Sequence, residues 1–193
     1  MTVVNILDKL NPRGELMTYD GWPDEKAAQA FLVDFLTGNR YFEVRSQVGG
    51  VPWASHVFQR AQTVRADILL LPRKNADEVG WNHGALIIEI KKSGTKLGPP
   101  LSQLLDYMNC HFLVNGIAIM PSYGFLFPAL SPHGPLASLM THQHIGTATL
   151  RKCGGETYQE LALKCGETTI LAFNADKTIQ VRKPEVGHRF GSR

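Results

Sequence analysis

The chain has 193 residues, 44% of them hydrophobic and 19% charged, which suits one folded domain and excludes a wholly disordered chain. No apolar run approaches the roughly 18 residues of a membrane-spanning helix, and we expect neither a membrane partner nor a secretory signal. The formal net charge of +3 comes from residues 145–193, with 8 Lys+Arg against 5 Asp+Glu, and this mild excess does not by itself indicate a polyanionic partner.

The first predicted element is a helix from Asp24 to about Thr37, which Gly38 and Asn39 end. Its apolar residues recur at helical spacing, so one face of the helix is expected to be buried. A second helix is predicted from Leu101 to about Val114. Strands are predicted at 41–48, 64–72, 85–92 and 116–120. The strand at 85–92 is apolar almost to its end, which is typical of a central strand covered on both faces.

The C-terminal third of the chain has a different pattern. It begins with a Pro- and Gly-rich stretch, 121–135, and continues with short strand-like runs at 147–151, 168–173 and 178–182. We therefore predict an α/β fold in which helices pack on a sheet, with a β-rich C-terminal part. Residues 1–193 are predicted to form a single domain, with its core at about 24–120 and an extension at 121–193.

Acidic residues interrupt two of the apolar strands. Asp67 precedes Ile68 in the strand at 64–72, and Glu89 lies near the end of the strand at 85–92. Ionised side chains inside apolar strands cost free energy unless they are paired or bind a metal. Lys91 follows Glu89 by two residues, and alternation places both side chains on the same face of the strand.

This set of charges is what a hydrolase that uses a hard divalent metal requires. Carboxylate oxygens bind Mg²⁺, which lowers the pKa of a bound water and neutralises charge on a phosphate. Lys91 would position or deprotonate that water, or stabilise charge in the transition state, and the backbone carbonyl of Ile90 would be a further metal ligand. The alternative is structural: the acids pair with Arg65 or Lys91 and have no catalytic role.

The order of these residues resembles that of the PD-(D/E)XK nuclease superfamily. Asp67 and Glu89-x-Lys91 match its acids and lysine, and Gln103 and Tyr107 match the Gln-x-x-x-Tyr motif of its RecB-like and lambda-exonuclease-like members. Residues spaced four apart lie on one side of a helix. In that family this helix borders the active site and orients the lysine or the DNA. An ordinary amphipathic helix with a polar Gln and a half-buried Tyr is the alternative.

The resemblance covers about residues 24–120 and implies a restriction-endonuclease-like central mixed sheet flanked by helices. It also implies a nuclease that needs Mg²⁺ or Mn²⁺ to hydrolyse DNA, with the two acids and the Ile90 carbonyl as metal ligands. Glu25, at the start of the first helix, would be an accessory ligand or a nearby supporting acid. His56 corresponds to the metal-binding histidine of some RecB-like enzymes, or is an ordinary loop histidine.

The sequence leaves several properties of such a nuclease open. It does not distinguish recombination, repair, restriction and phage DNA metabolism, nor an endonuclease from an exonuclease. An RNA-cleaving nuclease and a catalytically idle fold that binds DNA or protein are the alternatives, and a homo-oligomer is compatible with every one of these functions.

Three further features support no site by themselves. The three cysteines, Cys110, Cys153 and Cys165, lack a Cys-x-x-Cys pair, and we expect free thiols in a reducing, cytoplasmic compartment. The pair His142 and His144 is expected in a loop, as polar residues at the surface or next to DNA, with a transition-metal site as the alternative. The basic tail, 182–193, would contact phosphates or be a solvated terminus.

Overall fold

The computed structural model describes residues 22–52, 64–92, 95–128, 134–152 and 157–181. The helices are α1 (Glu25–Leu36), α2 (Gly98–Met108) and α3 (Pro135–His142), with one 3-10 turn at Ala76–Val79. The strands are β1 (Phe42–Pro52), β2 (Val64–Pro72), β3 (Ala85–Ile90), β4 (Cys110–Val114), β5 (Ile117–Ile119), β6 (Pro121–Phe127), β7 (Ile145–Lys152), β8 (Tyr158–Cys165), β9 (Thr168–Asn174) and β10 (Ile179–Val181). Among these described helices, none has the length and apolar character that crossing a membrane requires.

All ten strands belong to one sheet, in the order β10-β9-β8-β7-β6-β3-β2-β1-β4-β5. The pairs β3–β6 and β6–β7 are parallel, and the other neighbours are antiparallel, so the fold is α/β with a mixed sheet. Strand β3 lies between β2 and β6, and all six of its residues are buried. The prediction of a central strand covered on both faces is therefore confirmed.

The core has two layers, one on each face of the sheet. On one face α1 buries Ala28, Leu32 and Leu36 against residues of β2 and β3 such as Ile68 and Ile88. Complete burial of each leucine contributes about 2 kcal/mol. On the other face α2 contributes the buried side chains Leu101, Leu104 and Tyr107. The two helices therefore cover the two faces of the same central strands.

Helix α1 is fixed at both of its ends. At the start, Asp24 Oδ1 accepts a hydrogen bond from the backbone amide of Ala27 at 2.8 Å, which is an N-cap. At the end, Lys177 Nζ from the β9–β10 turn donates to the carbonyls of Asp34 and Phe35 at 3.0 Å each. A cation at carbonyls that lack intrahelical partners is favourable. The position of the α1 N-terminus, which carries Glu25, is set in this way.

The helix predicted at 101–114 is wrong in its second half. Helix α2 already begins at Gly98, because Pro99 and Pro100 occupy its first turn, where proline is tolerated. It ends at Met108, and Cys110–Val114 forms β4, which pairs with β1 and β5. Pairing with the distant strand β1, and with β5 in a hairpin, decides the conformation of this segment, and local helical periodicity does not report such pairing.

The Pro- and Gly-rich stretch contains a strand that the sequence did not predict. Strand β6 runs beside β3 in parallel, with Pro121 at its first residue, a position in a strand that proline tolerates. Gly124 lies under α2, where a Cβ would come within 3.0 Å of Leu104. The predicted boundary between the core at about 24–120 and the extension at 121–193 therefore falls between two strands of one continuous sheet. Helix α3 and strand β8 were also not predicted.

Candidate active site

The candidate site lies where β2 and β3 stop pairing. Ile68 opposite Ile88 is the last pair of this antiparallel ladder, and Asp67 and Glu89 are the next residues on the two strands. Lys91 follows the end of β3. The sheet topology therefore brings together the three charged residues that the sequence singled out.

Both carboxylate oxygens of Asp67 accept hydrogen bonds. Oδ2 accepts from the backbone amide of Ile90 at 2.9 Å, and Oδ1 accepts from Gln47 Nε2 at 3.0 Å. The backbone carbonyl of Asp67 accepts from Gln29 Nε2 of α1 at 2.8 Å. Strand β1, helix α1 and the end of β3 thus fix this residue together.

Glu89 is a buried acid with only one of its oxygens satisfied. The residue is 1% exposed, and its Oε1 lies 2.5 Å from Lys91 Nζ. Its Oε2 has no hydrogen-bond partner among the described residues. Burial raises the pKa of Glu89 to about 7, the charge of Asp67 adds to the rise, and Lys91 and the nearby Tyr107 hydroxyl oppose it. Close to neutral pH, this carboxyl is therefore able to gain or lose its proton.

The Gln-x-x-x-Tyr pair supports the backbone next to Asp67. Tyr107 is fully buried, and its hydroxyl donates to the carbonyl of Arg65 at 2.6 Å. Gln103 Nε2 donates in turn to the Tyr107 hydroxyl at 2.5 Å. Burial, and then the nearby charge of Glu89, raise the pKa of Tyr107, so the hydroxyl keeps its proton as a donor. The Tyr107 hydroxyl therefore supports β2 at Arg65 and also lies near Glu89, whereas the resemblance implied that this pair orients the lysine or the DNA.

Glu25 reaches the same edge of the sheet through a backbone contact. Its Oε1 accepts a hydrogen bond from the backbone amide of Lys92 at 2.9 Å, which ties the start of α1 to the chain that follows β3. In the part of the chain that the structure describes, no three His, Cys, Asp or Glu side chains form a group that could hold a metal. The roles of Glu25 as an accessory ligand and of the Ile90 carbonyl as a metal ligand stay predictions.

Some expected features lie elsewhere. His56, Cys153 and the tail at 182–193 fall outside the described residues. His142 ends α3, and His144 follows in a turn, where its ring stacks on Tyr123 at 5.1 Å between centroids. The two described cysteines, Cys110 and Cys165, are free thiols.

Two residues of this site, Gln29 and Gln47, could not be found from the sequence. Both are glutamines with no distinctive neighbours, and both act on Asp67 across large separations along the chain. Gln47 stands opposite Asp67 only because of the pairing register of β1 and β2. That register cannot be predicted from a single sequence.

The donor set fits a hard divalent cation held by few protein ligands. A buried carboxylate oxygen without a partner, such as Glu89 Oε2, is costly, and a cation would satisfy it. Mg²⁺ commonly binds through one or two carboxylates and keeps several waters, so two acids are sufficient. Among known proteins, no family model matches this chain, and no curated protein or solved structure matches it significantly.

Proposed function

We propose that this protein is a divalent-metal-dependent nuclease that hydrolyses phosphodiester bonds of DNA on a restriction-endonuclease-like fold. The observation that carries the proposal is the arrangement at the ends of β2 and β3. There Asp67 and Glu89 come from adjacent strands, Lys91 pairs with Glu89, and Glu89 Oε2 is buried without a described partner.

In this proposal Asp67, Glu89 and the carbonyl of Ile90 bind Mg²⁺ or Mn²⁺. When bound, the ion supplies acidity for a water and positive charge for the phosphate. The protein contributes a carboxylate of fixed orientation at Asp67, since both its oxygens accept hydrogen bonds. It contributes a second carboxylate at Glu89, where burial keeps the surroundings poor in water and strengthens electrostatic interactions.

Lys91 has the position that the lysine of such a site needs. Its ammonium lies beside the buried carboxylate of Glu89, yet the side chain is 17% exposed and so opens toward solvent. An ammonium there can orient a water, take part in its deprotonation or stabilise negative charge on a phosphate.

A purely structural role explains this arrangement less well. A buried ion pair stabilises a fold only when further hydrogen bonds satisfy its remaining atoms, and such pairs are often no better than apolar residues. Here Glu89 Oε2 lacks that hydrogen bond among the described residues, and Asp67 places a second negative charge nearby. A bound cation would satisfy the unpartnered oxygen of Glu89 and would also offset the repulsion between the two acids.

The test compares two lysines that are adjacent in sequence. Lys91 is half-buried at Glu89, whereas Lys92 is exposed and contacts Glu25 through its backbone. Under single-turnover conditions with Mn²⁺ and saturating enzyme, Lys91→Ala should cut the rate of DNA cleavage by about a hundredfold or more. Lys92→Ala should cost only a few-fold, because it removes a phosphate attraction alone.

The substrates decide between the proposal and its alternatives. Linear, circular, single-stranded and branched DNA are compared with RNA of the same sequence, each with Mg²⁺ or Mn²⁺. Faster cleavage of RNA than of DNA would identify RNA as the substrate. Binding of DNA without cleavage of any substrate would indicate a catalytically idle binding module. Equal losses for Lys91→Ala and Lys92→Ala would refute the role of Lys91.

A further inference from the structure

Gln47, in the middle of β1, has a backbone conformation that is unusual for its residue type. Its φ is +54°, in the left-handed region, which residues with a Cβ adopt only at a cost in free energy. Such outliers persist where the surrounding structure imposes them, and they cluster at functional sites. The side chain of Gln47 is exposed, so burial of apolar surface does not explain the conformation.

The strand pairing shows what this conformation achieves. Ser46 pairs with Ile68 and Val48 pairs with Ala66, so the register is the same on both sides of Gln47. Gln47 therefore stands opposite Asp67, at the one step where this stretch of the described ladder is interrupted. Its Nε2 donates to Asp67 Oδ1 at 3.0 Å.

Two donors then fix the plane of the Asp67 carboxylate. The amide of Ile90 binds Oδ2, and the Gln47 side chain binds Oδ1. An ionised carboxylate has about four acceptor positions, so two stay open for a cation. The amide of Gln47 is a neutral donor, so it adds no positive charge that would compete with a cation at Asp67.

We infer that Gln47 is a positioning residue that orients Asp67 for divalent-metal binding, and this inference rests on the proposed function. Residues that hydrogen-bond a metal ligand typically change metal affinity by about ten- to a hundredfold when they are replaced. Gln47 acts on the metal through Asp67, and the strained conformation of β1 is what brings its amide to Oδ1.

The test uses Gln47→Gly in the full chain, because glycine removes the donor and also relieves the left-handed strain. Without metal, the melting temperature of this variant should equal or exceed that of the wild type. In a titration with Mn²⁺ alone, followed by the shift of melting temperature, the apparent Kd should rise about tenfold or more. If Gln47 only supported the fold, this variant would instead melt at a lower temperature and keep the wild-type Kd for Mn²⁺.

Two further variants separate strain from hydrogen bonding. Gln47→Asn tolerates the left-handed region, but its amide is one methylene shorter, so it should also weaken Mn²⁺ binding. Asn115→Gly relieves another left-handed residue, with φ +52°, in the β4–β5 turn away from the site. It should leave the apparent Kd for Mn²⁺ unchanged.

The outcomes distinguish this inference from the proposed function. If Asp67→Ala abolishes the Mn²⁺ effect while Gln47→Gly keeps the wild-type Kd, the inference is overturned and the metal site stands. If Mn²⁺ has no effect on the wild type, or the same effect on Asp67→Ala, the metal site itself is wrong, and the role of Gln47 is overturned with it.

Discussion

Replacing the buried carboxyl of Glu89 by the amide of glutamine should flatten the pH dependence of folding stability. The substitution keeps the size of the side chain and an oxygen that can accept from Lys91, but it removes the titrating proton. In the folded wild type, burial raises the pKa of Glu89 from its ordinary value of 4.5 to about 7. Such a shift corresponds to about 3 kcal/mol, because each unit is worth 1.36 kcal/mol.

The direction in which the free energy of unfolding changes with pH follows from the fact that the folded state holds the Glu89 proton more tightly than the unfolded state. Below about pH 4.5 Glu89 is protonated in both states, and its contribution to the free energy of unfolding is fully present. As the pH rises, the unfolded chain releases the proton first, so this contribution falls and is lost when the pH has passed about 7. Between pH 5 and pH 8 the metal-free wild type should therefore lose most of about 3 kcal/mol relative to Glu89→Gln.

Urea unfolding at pH 5, 6, 7 and 8, with a chelator present, measures this difference directly. Glu167→Gln, which changes an exposed acid in the turn between β8 and β9, is the matched control and should parallel the wild type. A difference between the wild type and Glu89→Gln that is constant from pH 5 to pH 8 would refute the burial of an ionisable Glu89 on which the site depends.

Two other predictions concern the neighbours of Glu89. Mn²⁺ should raise the melting temperature more at pH 8 than at pH 6, because the ion competes with the proton on Glu89. Asp67→Ala should abolish this shift of melting temperature at both pH values. A shift that does not depend on pH would place the ion elsewhere. Tyr107→Phe should lower the free energy of unfolding by about 1–3 kcal/mol, since the part-buried carbonyl of Arg65 loses its donor, and urea unfolding that shows no loss would contradict this support of β2.

The central strands could be predicted from sequence because their signals are local. Apolar runs that end at Pro72 and begin after Gly84 define β2 and β3, and burial of β3 on both faces follows from its apolar run before Glu89. Strands β4 and β6 depend instead on partners far along the chain. The segment 110–114 continues an acceptable helical pattern, and pairing with β1 makes it a strand.

The candidate site was predictable to the same extent. Apolar runs are interrupted or ended by Asp67, Glu89 and Lys91. The free-energy cost of burying such ionised side chains can therefore be recognised from the sequence itself. Gln47 carries no such signal. Its role arises from the register of β1 against β2 and from a local backbone conformation, neither of which alternation reports. Ala66 and Ile68 illustrate the same point, since they lie two residues apart and yet pack into different layers of the core.

The site forms where backbone groups of β2 and β3 leave the strand ladder and side chains bind them instead. Tyr107 donates to the carbonyl of Arg65, Gln29 donates to the carbonyl of Asp67, and Glu25 accepts from the amide of Lys92. These side chains come from α1 and α2, which cover opposite faces of the sheet. The separation of the Asp67 and Glu89 carboxylates therefore depends on both helices at once. A cation held by the two acids would link both layers of the core, which is why Mn²⁺ binding should stabilise the wild-type fold.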